Sequence, residues 1–251
     1  MSPSTVLEPT HLAARPGAVL FDAYGTLFDV YSVAQLAEAL FPGHGQAISV
    51  LWRDKQIEYT RLVSACNHGA HYQAFSVLTR SALIYAIKKI ASHAGQTGVD
   101  AEFMHKAEPR IAQLLAQYQA LQAFPENLAV LQTLKAEGIP IGILSNGDLP
   151  MLHAAVESAG FTGLVDHVIS VDAIRTYKTH PEAYALGEQA TGLPAGAIVF
   201  VSSNAWDALG ATWFGYQTLW VNRYHLPFEE LGTQPHRTGT DLRAVLDFFP
   251  T

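Results

Sequence analysis

Ala18–Phe21 is a short apolar run that delivers one carboxylate, Asp22, onto a turn containing Gly25. Two residues on stands Tyr24, so the loop carries a single carboxylate and not a pair. A lone carboxylate suits nucleophilic displacement at carbon with a leaving group that needs no proton. Halide is such a group. The simpler alternative is an Asx turn, in which Asp22 only caps the chain reversal. Gly25 lets the backbone turn away, so that amides of the loop face the ground beyond the strand. Thr26 can donate to the Asp22 carboxylate and hold its rotamer.

Further polar residues follow other apolar runs. Ser145 follows Ile139–Leu144, and Ser202-Ser203-Asn204 follows Ile198–Val201, with Asp207 three residues beyond Asn204. Neutral side chains at the latter position make a poor magnesium site, because that ion prefers hard, charged oxygens. Read alone, Ser202 and Asn204 satisfy buried backbone and Asp207 caps a helix or faces water. Arg53 lies in a helical pattern one turn before Ile57, where most arginines are solvated. His68-x-x-His71 has no cysteine or third clustered ligand, so surface or pocket-rim histidines are expected rather than a metal site. Cys66 is the only cysteine. It is expected to be a small buried hydrophobe, and with no intramolecular disulfide a reducing compartment is permitted.

The elements that must position these residues show in the hydrophobic pattern. Five apolar runs read as parallel strands: Ala18–Phe21, Ile139–Leu144, His167–Val171, Ile198–Val201 and Thr218–Val221. Helical periodicity occupies Leu128–Lys135, Met151–Ala159 and Glu182–Ala190, with Gly138, Gly160 and Gly192 as stops. Alternation of strand and helix predicts an α/β fold, a Rossmann-like parallel sheet. The stretch between Asp22 and Ser145 is far too long for one crossover. It carries helical patterns over Gly45–Ser64, Phe75–Ser92 and Glu102–Gln122. We therefore expect a tail at 1–17, a core from 18–29 and 123–251, and an inserted helical cap over 30–122. Ligands of such sheets bind beyond the carboxyl ends of the strands, where Asp22, Ser145 and Ser202 fall.

Composition narrows the partners. The chain has 251 residues, 49% of them hydrophobic, and a formal net charge of −7 without a block of like charge. Nucleic acid is an unsuitable partner, and an anionic substrate must find local cations among 15 Lys and Arg. The first 17 residues lack the basic start and apolar stretch of a signal peptide. No segment has the length needed to span a bilayer, so a cytoplasmic address is expected.

Four segments together resemble the L-2-haloacid dehalogenases, type II of the haloacid dehalogenase superfamily. They are Phe21-Asp22-Ala23-Tyr24-Gly25-Thr26-Leu27-Phe28-Asp29-Val30, Leu51-Trp52-Arg53-x-Lys55-Gln56-x-Glu58-Tyr59-Thr60, Leu144-Ser145-Asn146-Gly147, and Val201-Ser202-Ser203-Asn204-Ala205-Trp206-Asp207. Lys178 and Tyr184 fit a fifth, looser segment. The first segment marks only the superfamily, whose phosphatases write Asp-x-Asp and add an acidic metal ligand near the Ser202 position. Arg53 in its Leu-Trp-Arg setting and Ser-Ser-Asn-Ala-Trp-Asp are far more specific.

The resemblance implies hydrolytic dehalogenation of short L-2-haloalkanoic acids to 2-hydroxy acids, without metal or other cofactor. It makes Asp22 the nucleophile, Thr26 its support and Arg53 the group that takes the halide. Asn146 and Trp206 would line the same pocket. Ser145, Lys178 and backbone amides near Tyr24 and Asn146 would hold the substrate carboxylate. Ser202 and Asn204 would position Lys178 and the hydrolytic water, and Asp207 would activate that water. Tyr24, Tyr72 and Tyr184 are expected around the substrate. A homodimer is expected, since family members often pair.

Three positions depart from the family pattern. Asp54 stands where Gln often follows the arginine, Tyr72 where Phe is common, and Thr179 where Pro usually follows the lysine. The first two bear on substrate range. Ring-opening of a strained cyclic amino acid, with Tyr72 or His71 as proton donor, is one alternative activity. A catalytically silent anion-binding protein is another.

Overall fold

Every residue of β1 (Ala18–Phe21) is buried, as expected of a strand covered on both faces, which reads as a continuous apolar run. The computed structural model describes residues 15–93 and 101–250, apart from the side chains of His68 and Ala101. Most of the expected N-terminal tail lies outside the described residues. After β1 come four helices: α1 (Ala34–Leu40), α2 (Gly45–Ala65), α3 (Phe75–His93) and α4 (Ala101–Gln119). Then α5 (Asn127–Ala136), β2 (Ile141–Ser145), α6 (Leu149–Ser158), β3 (His167–Ser170), α7 (Pro181–Thr191), β4 (Ile198–Ser202), α8 (Ala205–Phe214), β5 (Gln217–Val221) and β6 (Arg237–Gly239) complete the chain.

The six strands form one parallel sheet in the order β3-β2-β1-β4-β5-β6. The chain leaves β1 toward β2 and β3 on one side and returns to β4 on the other. The strand order therefore reverses at β1, and a crevice opens beyond its carboxyl end. Phe21 is in register with Ile143 of β2 and Val201 of β4, so Asp22, Ser145 and Ser202 emerge side by side. The Asp22 amide donates to the Val201 carbonyl at 2.9 Å.

The five expected strands are present with ends shifted by up to two residues. The sixth was not anticipated. β6 reads Arg-Thr-Gly and is no more than half-buried, so it has no apolar signal, and only its pairing with β5 makes it a strand. Two helices also escaped the pattern. α1 is short and retains only Ala37 in the core, while α8 follows directly on the polar Ser202-Ser203-Asn204 stretch. Cys66 is exposed, against the expectation of burial, because it opens a 3₁₀ turn where α2 ends at the surface.

In the helical region α2 packs along α3, with the Trp52 indole donating to the Thr79 carbonyl at 2.8 Å. Trp52 is itself in ring contact with Tyr118 of α4. α2 thereby carries Arg53 over the carboxyl end of β1. Phe200, Tyr184, Tyr216 and Phe214 form an aromatic cluster that meets Lys178 through Phe200 and Asp207 through Tyr184.

Candidate active site

Asp22 is 5% exposed, and its carboxylate accepts from three side chains. Thr26 Oγ1 (3.0 Å) and Asn204 Nδ2 (2.9 Å) donate to Oδ2, and Lys178 Nζ (3.1 Å) donates to Oδ1. Thr26 Oγ1 also accepts the Ser203 amide at 2.8 Å, so one hydroxyl ties the β1 loop to the β4 loop. Gly25 stands at φ +96°, and a Cβ there would lie 3.6 Å from the Asn204 amide group. The positive φ, rather than space, requires glycine, and the turn lets Asn204 reach both Asp22 and the Tyr24 carbonyl (3.1 Å).

Lys178 is wholly buried along its side chain, and its ammonium is shared between two carboxylates. Asp207 Oδ2 accepts from it at 3.0 Å, opposite Asp22. Asp207, on the first turn of α8, has no exposed surface. Burial pushes its pKa up to about 6; the Lys178 ammonium works against that and the Asp22 charge adds to it. Its other oxygen accepts from the Tyr184 hydroxyl at 2.8 Å. Gly210 makes this approach possible: a Cβ there would fall 2.6 Å from the Tyr184 hydroxyl and 2.7 Å from Thr179.

Ser145 Oγ accepts the Gly147 amide at 3.1 Å, which leaves its own proton for another acceptor. Asn146 Oδ1 accepts the Lys178 amide at 3.0 Å and so fixes the lysine segment against β2. Ser202 Oγ accepts the Asn204 amide at 3.2 Å, holding the turn that presents Asn204.

Arg53 reaches across from α2. Its guanidinium donates to the Tyr24 carbonyl (2.9 Å), Asn204 Oδ1 (3.2 Å) and Gln56 Oε1 (2.7 Å). All three acceptors are neutral, so the positive charge has no carboxylate partner among these contacts. Gln56 is fully buried and is held by Thr79 and Tyr118. It was not singled out from sequence, although its place three residues after Arg53 is the spacing at which helical side chains meet.

Beyond Arg53 and Asn204 opens a cavity of about 560 Å³. Gly25, Trp206, Ser203, Tyr31, Asp54, Arg61, Tyr224 and Leu226 are among the residues that line it, whereas Asp22, Ser145, Asn146 and Lys178 lie behind Arg53 and Asn204 and are not part of its wall. Arg61 lies over the Trp206 ring, 5.4 Å from its centre.

The three tyrosines expected around the substrate each have partners of their own within the protein. Tyr184 lies beneath Asp207, since a buried phenol needs an acceptor and Asp207 supplies it. Tyr72 donates to Asp172 and stacks on Tyr177, with Phe75 between Tyr177 and Tyr24. Tyr24 joins the network through its carbonyl. Its ring is buried against Tyr118 and Phe75, its hydroxyl has no partner among the described residues, and burial holds the phenol well above its usual pKa. Neither Tyr72 nor the exposed His71, the two donors considered for ring-opening, lines the cavity. Among the described residues no three His, Cys, Asp or Glu side chains converge as a metal-ligand set.

Comparison with known proteins fits this arrangement. The family described as haloacid dehalogenase-like hydrolase matches residues 16–215. An (S)-2-haloacid dehalogenase of Pseudomonas sp. (strain YL) is 42% identical over 233 residues, covering 93% of this chain and 94% of its own. The crystal structure of the L-2-haloacid dehalogenase RSc1362 superposes with a TM-score of 0.84 at 52% identity, over 94% of this chain and 99% of that one. That of the L-2-haloacid dehalogenase from Xanthobacter autotrophicus, with chloropropionic acid covalently bound, gives 0.80 at 33% identity, over 94% and 100%.

Proposed function

The chain belongs to the haloacid dehalogenase-like hydrolases, and from that premise we propose that it hydrolyses L-2-haloalkanoic acids to 2-hydroxy acids through an ester on Asp22. The observation that carries the reading is the juxtaposition of a buried, three-fold held carboxylate with Arg53, a cation whose acceptors are all neutral. A nucleophile faces an unspent positive charge suited to an anionic leaving group.

In the first step an Asp22 oxygen attacks C2 and the carbon–halogen electron pair departs with the halide toward Arg53. Lys178 and the free Ser145 proton hold the substrate carboxylate, with Asn146 keeping the lysine in place and Trp206 walling the pocket. Fixing C2 against the carboxylate can supply about 7–11 kcal/mol of the barrier. In the second step water attacks the ester carbonyl, and Asp207 takes its proton. Each Asp207 oxygen accepts one side-chain donor, which leaves a lone pair for that purpose. The ester C–O bond then breaks, the 2-hydroxy acid leaves after protonation of its alkoxide, and Asp22 is regenerated.

The reading needs no metal, because Tyr24 and Ser202-Ser203-Asn204 replace the acidic ligands and Lys178 stands between the two aspartates. Activity should survive exhaustive chelation; loss with EDTA and recovery with magnesium would count against it. We extend the proposal to a cytoplasmic homodimer. The lone cysteine suits a reducing compartment, and Val50, Leu62 and Val77 present apolar side chains on exposed faces of α2 and α3. Sedimentation velocity tests the dimer. No helix among the described residues is long and apolar enough to cross a membrane.

A single turnover in ¹⁸O-water, with enzyme in excess, tests the chemistry. The product should be unlabelled and the label should appear in the peptide carrying Asp22. Label in the first product would mean that water attacks C2 directly. An L-substrate should give the D-hydroxy acid, since C2 inverts once and is untouched by ester hydrolysis.

A further inference from the structure

The connection from β5 to β6 carries side chains to the cavity mouth that the two-step reaction does not use. Leu226 is 60% exposed and Tyr224 53% exposed, yet both line the cavity that begins at Arg53 and Asn204. Their place on the wall of that cavity, rather than their exposure alone, makes them apolar surface within reach of a bound ligand.

These two are also held in place. Asn222 Nδ2 donates to the Leu226 carbonyl at 2.8 Å, and the Leu226 amide donates to Asn222 Oδ1 at 2.9 Å. One side chain thus clamps the turn from both directions. Arg223 anchors the same turn to the core: it pairs with Glu126, donates to the Thr26 carbonyl at 3.3 Å and lies over the Phe124 ring. Tyr224 meets Tyr31 edge to face at 6.2 Å, across the mouth. The wall is therefore preorganised rather than a floppy loop tip.

We propose that Leu226 and Tyr224, faced by Tyr31, form an outer apolar subsite for the alkyl tail of longer 2-haloalkanoic acids. C2 reacts at Asp22 while carbons beyond the inner pocket lie along this wall. The inference rests on the dehalogenase reading, and it sets chain-length preference rather than chemistry.

The experiment compares kcat/KM for (S)-2-bromooctanoate and (S)-2-bromopropionate by halide release in one preparation of each enzyme. Leu226→Ala should lower the octanoate-to-propionate ratio about tenfold, as partial loss of one buried leucine contact would. Asn222→Ala should lower the ratio in the same direction by freeing the clamp. Leu231→Ala is the control: Leu231 is 62% exposed on the same connection but does not line the cavity, and the ratio should stay at the wild-type value. An unchanged ratio in Leu226→Ala, or an equal loss on both substrates, would overturn the subsite while leaving the dehalogenase reading intact. Absence of halide from both substrates with the wild-type enzyme would overturn both readings; absence from the octanoate alone would overturn only the subsite.

Discussion

Asp207 decides the second half of the reaction at the residue scale. Only its ionised form can accept a proton from water, and burial raises its pKa to about 6. Hydrolysis of the ester should therefore slow with acidification, at a pH somewhat below about 6, because esterified Asp22 no longer adds its charge to the burial that raises Asp207. Below that pH, rapid mixing should show about one halide released per site followed by slow turnover. Asp207→Asn should behave this way at every pH; steady halide release from that variant would remove Asp207 from the mechanism. Arg53→Ala should lose turnover with an unchanged circular dichroism spectrum, because the departing anion loses its cation. Near wild-type kcat would make Arg53 structural. Asp54 neighbours Arg53 on the cavity wall and opposes an incoming anion. Asp54→Gln should raise kcat/KM by about two- to fivefold at low salt, the scale of an exposed charge pair, with the gain shrinking as salt is added.

At the scale of elements, the site depends on how closely α8 meets α7. Gly210 leaves no room for a methyl group between α8 and the Tyr184 hydroxyl or Thr179. Gly210→Ala should destabilise the fold by about 1–3 kcal/mol through overpacking, measured as a lower urea midpoint. It should also slow ester hydrolysis more than halide release, because Tyr184 holds Asp207. A variant with normal stability and normal hydrolysis would show that the helices part without consequence. α2 has the complementary role: its packing on α3 and α4 aims Arg53, and Gln56 and Tyr118 steady the guanidinium from behind.

The whole molecule carries a net charge of −7, and the cavity mouth sets Asp29, Asp54, Glu58 and Glu229 around Arg53 and Arg61. An anionic substrate approaches against this field before it meets the inner cations. Raising ionic strength shortens the screening length from about 30 Å at 0.01 M to about 8 Å at 0.15 M. With a non-halide salt, kcat/KM should rise over that range while kcat stays level. A fall instead would mean that Arg53 and Arg61 already dominate the approach.

Residue types and short-range pattern determined a great deal of this protein. Parallel strands buried on both faces must be continuously apolar, so five of the six announced themselves, and the polar residues just past them marked the ligand-binding edge. Asp22, Ser145 and Ser202 were legible for that reason, and Lys178, Arg53 and Asp207 through the resemblance their segments carry. What local pattern cannot carry is partnership between distant segments. β6 is a strand only because β5 pairs with it. Tyr184 and Tyr72 have the size and polarity of pocket residues, and only the tertiary structure turns one under Asp207 and the other onto Asp172. Leu226 and Tyr224 reach the cavity mouth from the far end of the sheet, held by Asn222 and by an Arg223–Glu126 pair between segments far apart in the chain. Apolar periodicity records which face of an element is buried, whereas a hydrogen bond between distant segments depends on where the folded sheet brings them.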